Sequence, residues 1–205
     1  MDNYKYQRTL VLIKHDGVAR GLVGDIISRF ERIGLKIIAM KLILADDNRA
    51  KSHYPDSKEW YLNVGNRIIS NYKEKELDVK KDFSTDDPIE IGKIIKSYNE
   101  EYLLAGPVVA MVLEGPEAIK IVRKILGLTN PLESPVGTIR GDYSWDNNEL
   151  ATLQKRPLYN LMHASSSEED SSYEINLWFD KSELLDYKIS PEDFTGWKSK
   201  LSPKE

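Results

Sequence analysis

Gly106-Pro107-Val108-Val109-Ala110-Met111-Val112-Leu113-Glu114-Gly115-Pro116 decides the frame of the fold. The apolar run Val108 to Leu113 lies between two Gly-Pro pairs, and a short run bounded by such turn signals predicts a strand. Downstream, Pro116 suits the first turn of a helix. Its inward face would be Ala118, Ile121, Val122, Ile125 and Leu126, with Gly127 as the C-terminal cap. Upstream, Leu10, Val11, Leu12 and Ile13 form a second uninterrupted run, so Arg8 to Lys14 reads as a buried strand ending at the turn signal Asp16-Gly17.

The segments between and beyond these runs complete the pattern. Val18, Leu22, Val23, Ile26, Ile27, Phe30 and Ile33 recur at three- and four-residue spacing and predict a helix stopped by Gly34. Leu35 to Leu44, bounded by Gly34 and Asp46-Asp47, predicts a longer strand, and a short helix over 48–53 should end before Pro55. Leu158 to His163 reads as a fourth, short strand. Tyr173 to Phe179 follows as a helix presenting Tyr173, Leu177 and Trp178 inward. The order strand, helix, strand, strand, helix, strand is that of an α+β, ferredoxin-like βαββαβ fold, a four-stranded antiparallel sheet with helices on one face.

Two segments lie outside that plan. Residues 56–104 carry a helical pattern at Ile91, Ile94, Ile95, Tyr98 and Tyr102 after Asp87-Pro88, preceded by the polar run Lys73 to Asp82, and read as an inserted helical excursion. Residues 190–205 form a polar tail with Trp197 as an anchor, expected to wrap the surface or a neighbouring subunit. At 205 residues, the chain is expected to be one domain, 1–205, carrying insertions.

Composition removes several function classes. With 40% hydrophobic and 30% charged residues the chain reads as a folded globular protein. The longest apolar stretch, Leu35 to Leu44, is broken by Lys36 and Lys41, far from the roughly 20 apolar residues of a membrane helix. Met1 to Leu10 does not resemble a signal peptide. The chain has no cysteine, which excludes disulfides and thiolate chemistry, and the expected compartment is cytoplasmic. A net charge of -4 argues against duplex DNA as a partner. No specific nucleic acid is expected, because neither buried run offers an aromatic residue for stacking on an RNA base.

Only three histidines are present. His163, in Asn160-Leu161-Met162-His163-Ala164-Ser165, ends a predicted strand, where a neutral ring with a free lone pair could serve as a nucleophile. A lone histidine beside an apolar run is more often structural. The preceding segment gathers Arg123, Lys124, Thr129, Asn130, Thr138, Arg140 and Arg156, groups suited to phosphate oxygens. A solvated surface loop would look the same.

A set of ordered motifs narrows this choice. Lys14-His15-Asp16-Gly17-Val18 with Arg20-Gly21-Leu22-Val23-Gly24, then His53-Tyr54, Gly106 to Gly115, Gly127 to Pro131, Gly137 to Asp142, Asn160 to Ser165 and Glu174 to Phe179 together resemble nucleoside diphosphate kinases. The resemblance covers most of Arg8 to Tyr187. It implies that His163 is phosphorylated, on its pros nitrogen, by a nucleoside triphosphate and passes the group to a nucleoside diphosphate in a ping-pong cycle that maintains nucleoside and deoxynucleoside triphosphate pools. It further implies that Glu174 orients the ring, and that Arg123, Thr129 and Arg140 hold the phosphates. Lys14 and Asn160 would contact the sugar hydroxyls, Tyr54 would stand beside the histidine, and Ser165 would flank it. Mg2+ would arrive with the nucleotide rather than on protein ligands. Stacking on Trp60 or Tyr61 would give broad base specificity, and a homo-oligomer, hexamer or tetramer, is expected.

The chain also departs from the family pattern. His15 stands where proline is usual, and Ser166 where aspartate is usual. Residues 56–104 exceed the usual nucleotide-gripping hairpin, and 144–158 lengthen the loop before the histidine strand, as in some archaeal-type members. His15 and His53 read as structural. The competing reading is a silent relative that binds nucleotides or acts as a scaffold.

Overall fold

Thr9 to Ile13 have no solvent exposure at all, and the reason organises the fold. The structure, a computed structural model, describes residues 6–189; the polar tail 190–205 lies outside them. In chain order the elements are β1 (Tyr6–Ile13), α1 (His15–Ala19), α2 (Val23–Glu31), β2 (Lys36–Ile43), α3 (Asp47–His53), α4 (Lys58–Glu74), α5 (Val79–Phe83), α6 (Pro88–Leu104), β3 (Val108–Pro116), α7 (Ala118–Leu126), α8 (Ile139–Tyr143), α9 (Asn148–Leu153), β4 (Met162–Ala164) and α10 (Glu168–Trp178). The strands form one antiparallel sheet in the order β2-β3-β1-β4, the βαββαβ arrangement expected.

Successive side chains of a strand point to opposite faces. Val11, Ile13, Met111 and Leu113 enter a core with Ile26 and Phe30 of α2 and Val122 and Leu126 of α7. Leu10, Leu12, Ala110 and Val112 enter a second core with Ala50 of α3, Leu103 of α6 and Ile175 and Trp178 of α10. Helices therefore cover both faces, not one, and this is why the two central strands are uninterruptedly apolar.

Several boundaries differ from the sequence reading, each for a local reason. The helix expected across Val18 to Ile33 is two helices, because Gly21 turns the chain at a φ of 70°. Ile33 falls beyond α2 and is exposed. Pro116 closes β3 rather than opening α7. Glu117, at a φ of 45°, makes the corner, and Ile119 joins the buried face. Met40 and Leu42 lie outward on β2, an edge strand, and are exposed. The fourth strand is confined to Met162–Ala164 because Leu161 takes a left-handed φ of 66°. The last helix starts at Glu168, with the Ser167 hydroxyl accepting the Asp170 N–H at 3.0 Å. Glu174 turns inward there, and Tyr173, expected inward, is 56% exposed.

The inserted excursion is a helical hairpin. Ser57, Asp78 and Asp87 cap its three helices with side-chain oxygens, and Pro88 occupies the first turn of α6. Its two long helices meet at glycines: a Cβ on Gly65 would stand 1.9 Å from the Pro88 carbonyl oxygen, and one on Gly92 would stand 2.4 Å from that of Tyr61. The lengthened loop 144–158 is also ordered. It holds α9, and Asp146 binds the Arg156 guanidinium at 2.6 and 2.8 Å and accepts the Tyr159 N–H at 2.8 Å.

Candidate active site

The backbone that carries His163 is braced from three sides before its ring does anything. β4 pairs with β1, setting His163 opposite Leu12. The Ser165 hydroxyl accepts the Leu10 N–H at 3.2 Å. The buried Arg140 guanidinium donates to the carbonyls of Asn160 (3.0 Å), Met162 (2.6 Å), Leu128 (2.9 Å) and Gly127 (3.3 Å). Arg140 thus spends most of its five N–H donors on carbonyls, tying the loop after α7 to the histidine strand.

The ring itself is fixed by Glu174. Its Nε2 lies 2.9 Å from Glu174 Oε1, and Glu174 Oε2 accepts the Ser165 hydroxyl at 2.6 Å. Burial and the charges of Lys14, Arg140 and Arg123 hold the His163 pKa down to about 3. The pair is therefore a hydrogen bond from a neutral imidazole to a carboxylate, not an ion pair. With the proton on Nε2, the lone pair sits on Nδ1.

Lys14 and Asn160 are brought together: Lys14 Nζ donates to Asn160 Oδ1 at 3.0 Å, and Asn160 Nδ2 donates to the Thr129 carbonyl at 3.0 Å. Burial, with the nearby Arg140 charge, lowers the Lys14 pKa to about 7 against the opposing pull of Asp16. Thr129 and Asn160 line one cavity that extends along the inserted helices past Arg67 and Tyr98 to Pro157. Arg123 is exposed on α7, near enough for its charge to act on His163 and Arg140.

His163 opens into a second cleft, of about 800 Å³, whose walls include Tyr54, Trp60 and Asp170. Trp60 thus lines the same cleft as the histidine. Tyr61 is not among the lining residues, and its hydroxyl donates to Asp56 at 2.6 Å. The Ser166 hydroxyl donates to Asp170, so the carboxylate missing at position 166 is supplied to the same cleft one helical turn later. His15, which replaces the usual proline, packs edge-on against Tyr102 and Tyr159, with its Nδ1 3.1 Å from the Tyr102 carbonyl oxygen.

Some expected phosphate ligands are otherwise engaged. Arg156 is paired with Asp146, Thr138 caps α8, and Asn130 Nδ2 donates to Glu133 at 2.8 Å. Conversely, sequence patterns passed over Tyr102, Asp16 and Asp170, which surround the site. His53 is buried, its ring centroid 4.3 Å from that of His163. His53, His163 and Glu174 bring three potential metal-ligand atoms within 4.8 Å of one another. The Trp178 indole N–H, however, donates to His53 Nδ1 at 3.2 Å. That bond places the His53 proton on Nε2 and leaves no lone pair there for a metal.

A ferredoxin-like sheet that presents a histidine bonded to a glutamate, with Lys14, Arg123 and Arg140 nearby, matches one family among known proteins. The family model for nucleoside diphosphate kinase matches residues 7–79 and 93–184, passing over most of α5 and the start of α6. A nucleoside diphosphate kinase of Pyrobaculum aerophilum is 46% identical over 180 residues, 88% of this chain and 98% of the relative. The crystal structure of an NDP kinase from that organism superposes with a TM-score of 0.85 at 44% identity, covering 89% of this chain and all of the other. The Borreliella burgdorferi enzyme, solved as a transition-state mimic with bound vanadate and ADP, superposes with a TM-score of 0.72 at 35% identity, covering 91% and 95%. The chain belongs to the nucleoside diphosphate kinase family and is an enzyme of that class. Among the described residues no helix is long and apolar enough to cross a membrane.

Proposed function

We propose that the chain transfers the terminal phosphoryl group of a nucleoside triphosphate to a nucleoside diphosphate by a ping-pong cycle through His163. The observation that carries this reading is the bond from His163 Nε2 to Glu174, which leaves Nδ1 as the free nucleophile on a ring kept neutral by burial and three neighbouring cations. In the first half-reaction Nδ1 forms a bond to the γ-phosphorus while the bond to the bridging oxygen breaks, and the diphosphate departs. The second half-reaction is the reverse with a different diphosphate. Glu174 stabilises the cationic character the ring gains as the N–P bond forms.

The charge developing on the phosphoryl oxygens falls to Arg123 and the remaining donor capacity of Arg140, with Thr129 as a hydroxyl ligand. Lys14 and Asn160 address the sugar hydroxyls, Tyr54 flanks the transferred group, and Trp60 supports the nucleotide from the inserted hairpin. Mg2+ bound to the nucleotide would neutralise phosphate charge. Glu174, the carboxylate beside His163, has one oxygen bonded to His163 and the other to Ser165, which suits a metal carried by the nucleotide's own phosphate oxygens. Base specificity is broad in this reading, the whole chain acts as one such domain, and assembly as a homo-oligomer accompanies it.

The test is to incubate the protein with Mg2+ and γ-labelled ATP, then add GDP. An acid-labile, alkali-stable label that passes to GDP is expected, and none on His163→Ala. Nucleotide binding without any label would refute the transfer.

A further inference from the structure

Tyr102 stands at the base of the site without touching the cleft in which His163 reacts. It lies near the end of α6, is fully buried, and its ring is T-shaped against His15 at 5.1 Å. Its hydroxyl oxygen accepts two consecutive backbone N–H groups, Asn160 at 3.0 Å and Leu161 at 3.2 Å. Asp16 also accepts the Leu161 N–H, at 3.3 Å, and its carboxylate interacts with the Tyr102 hydroxyl. Lys14 Nζ lies 4.2 Å over the Tyr102 ring while donating to Asn160 Oδ1. One side chain therefore contacts the backbone of Asn160, the backbone of Leu161 and the ammonium of Lys14.

The turn it holds is a conformation that leucine avoids. A left-handed φ is disfavoured for a residue with a Cβ, and such a conformation persists only where its surroundings over-determine it. Leu161, at φ 66°, is followed within two residues by His163. Both amides are buried, so removing the Tyr102 oxygen takes away the acceptor of the Asn160 N–H and leaves the Leu161 N–H only the longer bond to Asp16. The carbonyls of the turn stay held, that of Asn160 by Arg140 and that of Leu161 by the Lys14 N–H at 2.7 Å, so the relaxation left to it is a tilt of the two peptide planes, which shifts the Asn160 side chain relative to Lys14.

From this we infer that Tyr102 is a positioning residue for phosphoryl transfer, holding the Asn160–Leu161 turn so that Asn160 and Lys14 meet the sugar end of the nucleotide in register with His163. The inference rests on the proposed kinase activity. It predicts a defect confined to what Asn160 and Lys14 read, the sugar hydroxyls.

The test compares Tyr102→Phe with wild type, using an ordinary nucleoside diphosphate and its 2′,3′-dideoxy counterpart as acceptors for the phosphoryl group. Phenylalanine keeps the ring under Lys14 and removes only the hydroxyl. A displacement on the ångström scale lowers rate by up to about 100-fold, so kcat with the ordinary acceptor should fall roughly tenfold or more with little change in KM. The dideoxy acceptor, which has no hydroxyl for the pair to read, should lose less than about threefold, and the preference for the hydroxylated sugar should shrink accordingly. Equal losses on both acceptors, or no loss, would overturn the inference while leaving wild-type activity, and so the kinase reading, intact. If Tyr102→Phe does not fold, amide exchange on the wild type decides: Asn160 and Leu161 N–H should be protected like those of β1, and rapid exchange at either contradicts the role.

Discussion

Glu174 Oε1 lies 2.9 Å from His163 Nε2, and the other oxygen of that carboxylate accepts the Ser165 hydroxyl at 2.6 Å. The carboxylate therefore has both oxygens committed, one to the nucleophile's ring and one to Ser165, just beyond β4. Orientation and charge support come from the same group.

Replacing Glu174 with Gln tests that arrangement. The amide can accept one of the two bonds but presents an N–H where the other acceptor was, and it carries no charge to balance a phosphorylated ring. Partners of this kind are worth about 10–100-fold in activity. The rate of His163 phosphorylation should fall by that amount, with Ser165→Ala less affected. A single-turnover rate for Glu174→Gln equal to wild type would show that the carboxylate is only structural.

Lys14 gives a proton-linkage prediction. With its pKa held to about 7 by burial and Arg140, most of the amine is unprotonated at pH 8 in the free protein. A polyphosphate favours the charged form, so nucleotide binding at pH 8 should take up protons. Calorimetric titration in buffers of different ionisation heat measures the sign. Proton release, or uptake that persists undiminished in Lys14→Gln, contradicts this reading of Lys14.

Much of this was legible in the sequence and some was not, for reasons that particular residues make plain. The runs Leu10 to Ile13 and Val108 to Leu113 located the central strands because nothing but burial explains six or four apolar residues in a row. That burial came from helices on both faces, and periodicity says nothing about which element covers a strand. α10 began earlier than its apolar residues suggested: Ser167 followed by Glu168, Glu169 and Asp170 is a helix start written in polar residues. The resemblance implies Arg140 as a phosphate ligand, but its four carbonyl partners have no sequence signature. Tyr102 was one apolar position among five in a helical pattern, and only the tertiary approach of Asn160 and Leu161 to its hydroxyl distinguishes it.

His163 also links the site to acid stability. Its pKa is about 3 in the folded protein against 6.5 for the free side chain. Between those values the unfolded chain binds the extra proton, so stability rises with pH across that window and is lost as pH falls from about 6.5 toward 3. At about 1.4 kcal/mol per unit, lowering the pH from 6.5 to 4 should cost wild type roughly 2–3 kcal/mol more than His163→Gln in urea unfolding. Lys14 titrates outside this window, between about 7 and 10.5; His53, lowered by burial, and Glu174, raised by burial, also titrate on the acid side and are present in both proteins. Parallel pH dependences for the two proteins would rule the linkage out.

The inserted hairpin can be tested through its glycines. Gly65 and Gly92 leave no space for a Cβ, whereas Gly24, within α2, has nothing within 4 Å. Gly65→Ala should destabilise by about 1–3 kcal/mol through overpacking, and Gly24→Ala should stabilise by up to about 1 kcal/mol. Thermal or urea unfolding of the two variants reads both signs. A neutral Gly65→Ala would mean that α4 and α6 are not in close contact in solution.

The most direct test of the central claim is the position of the phosphoryl group on the ring. Nuclear magnetic resonance of the protein phosphorylated with excess ATP and Mg2+ distinguishes the two imidazole nitrogens. Because Glu174 holds Nε2, the group should be found on Nδ1 of His163. Phosphate on Nε2, or on any other residue with His163 unmodified, would contradict it.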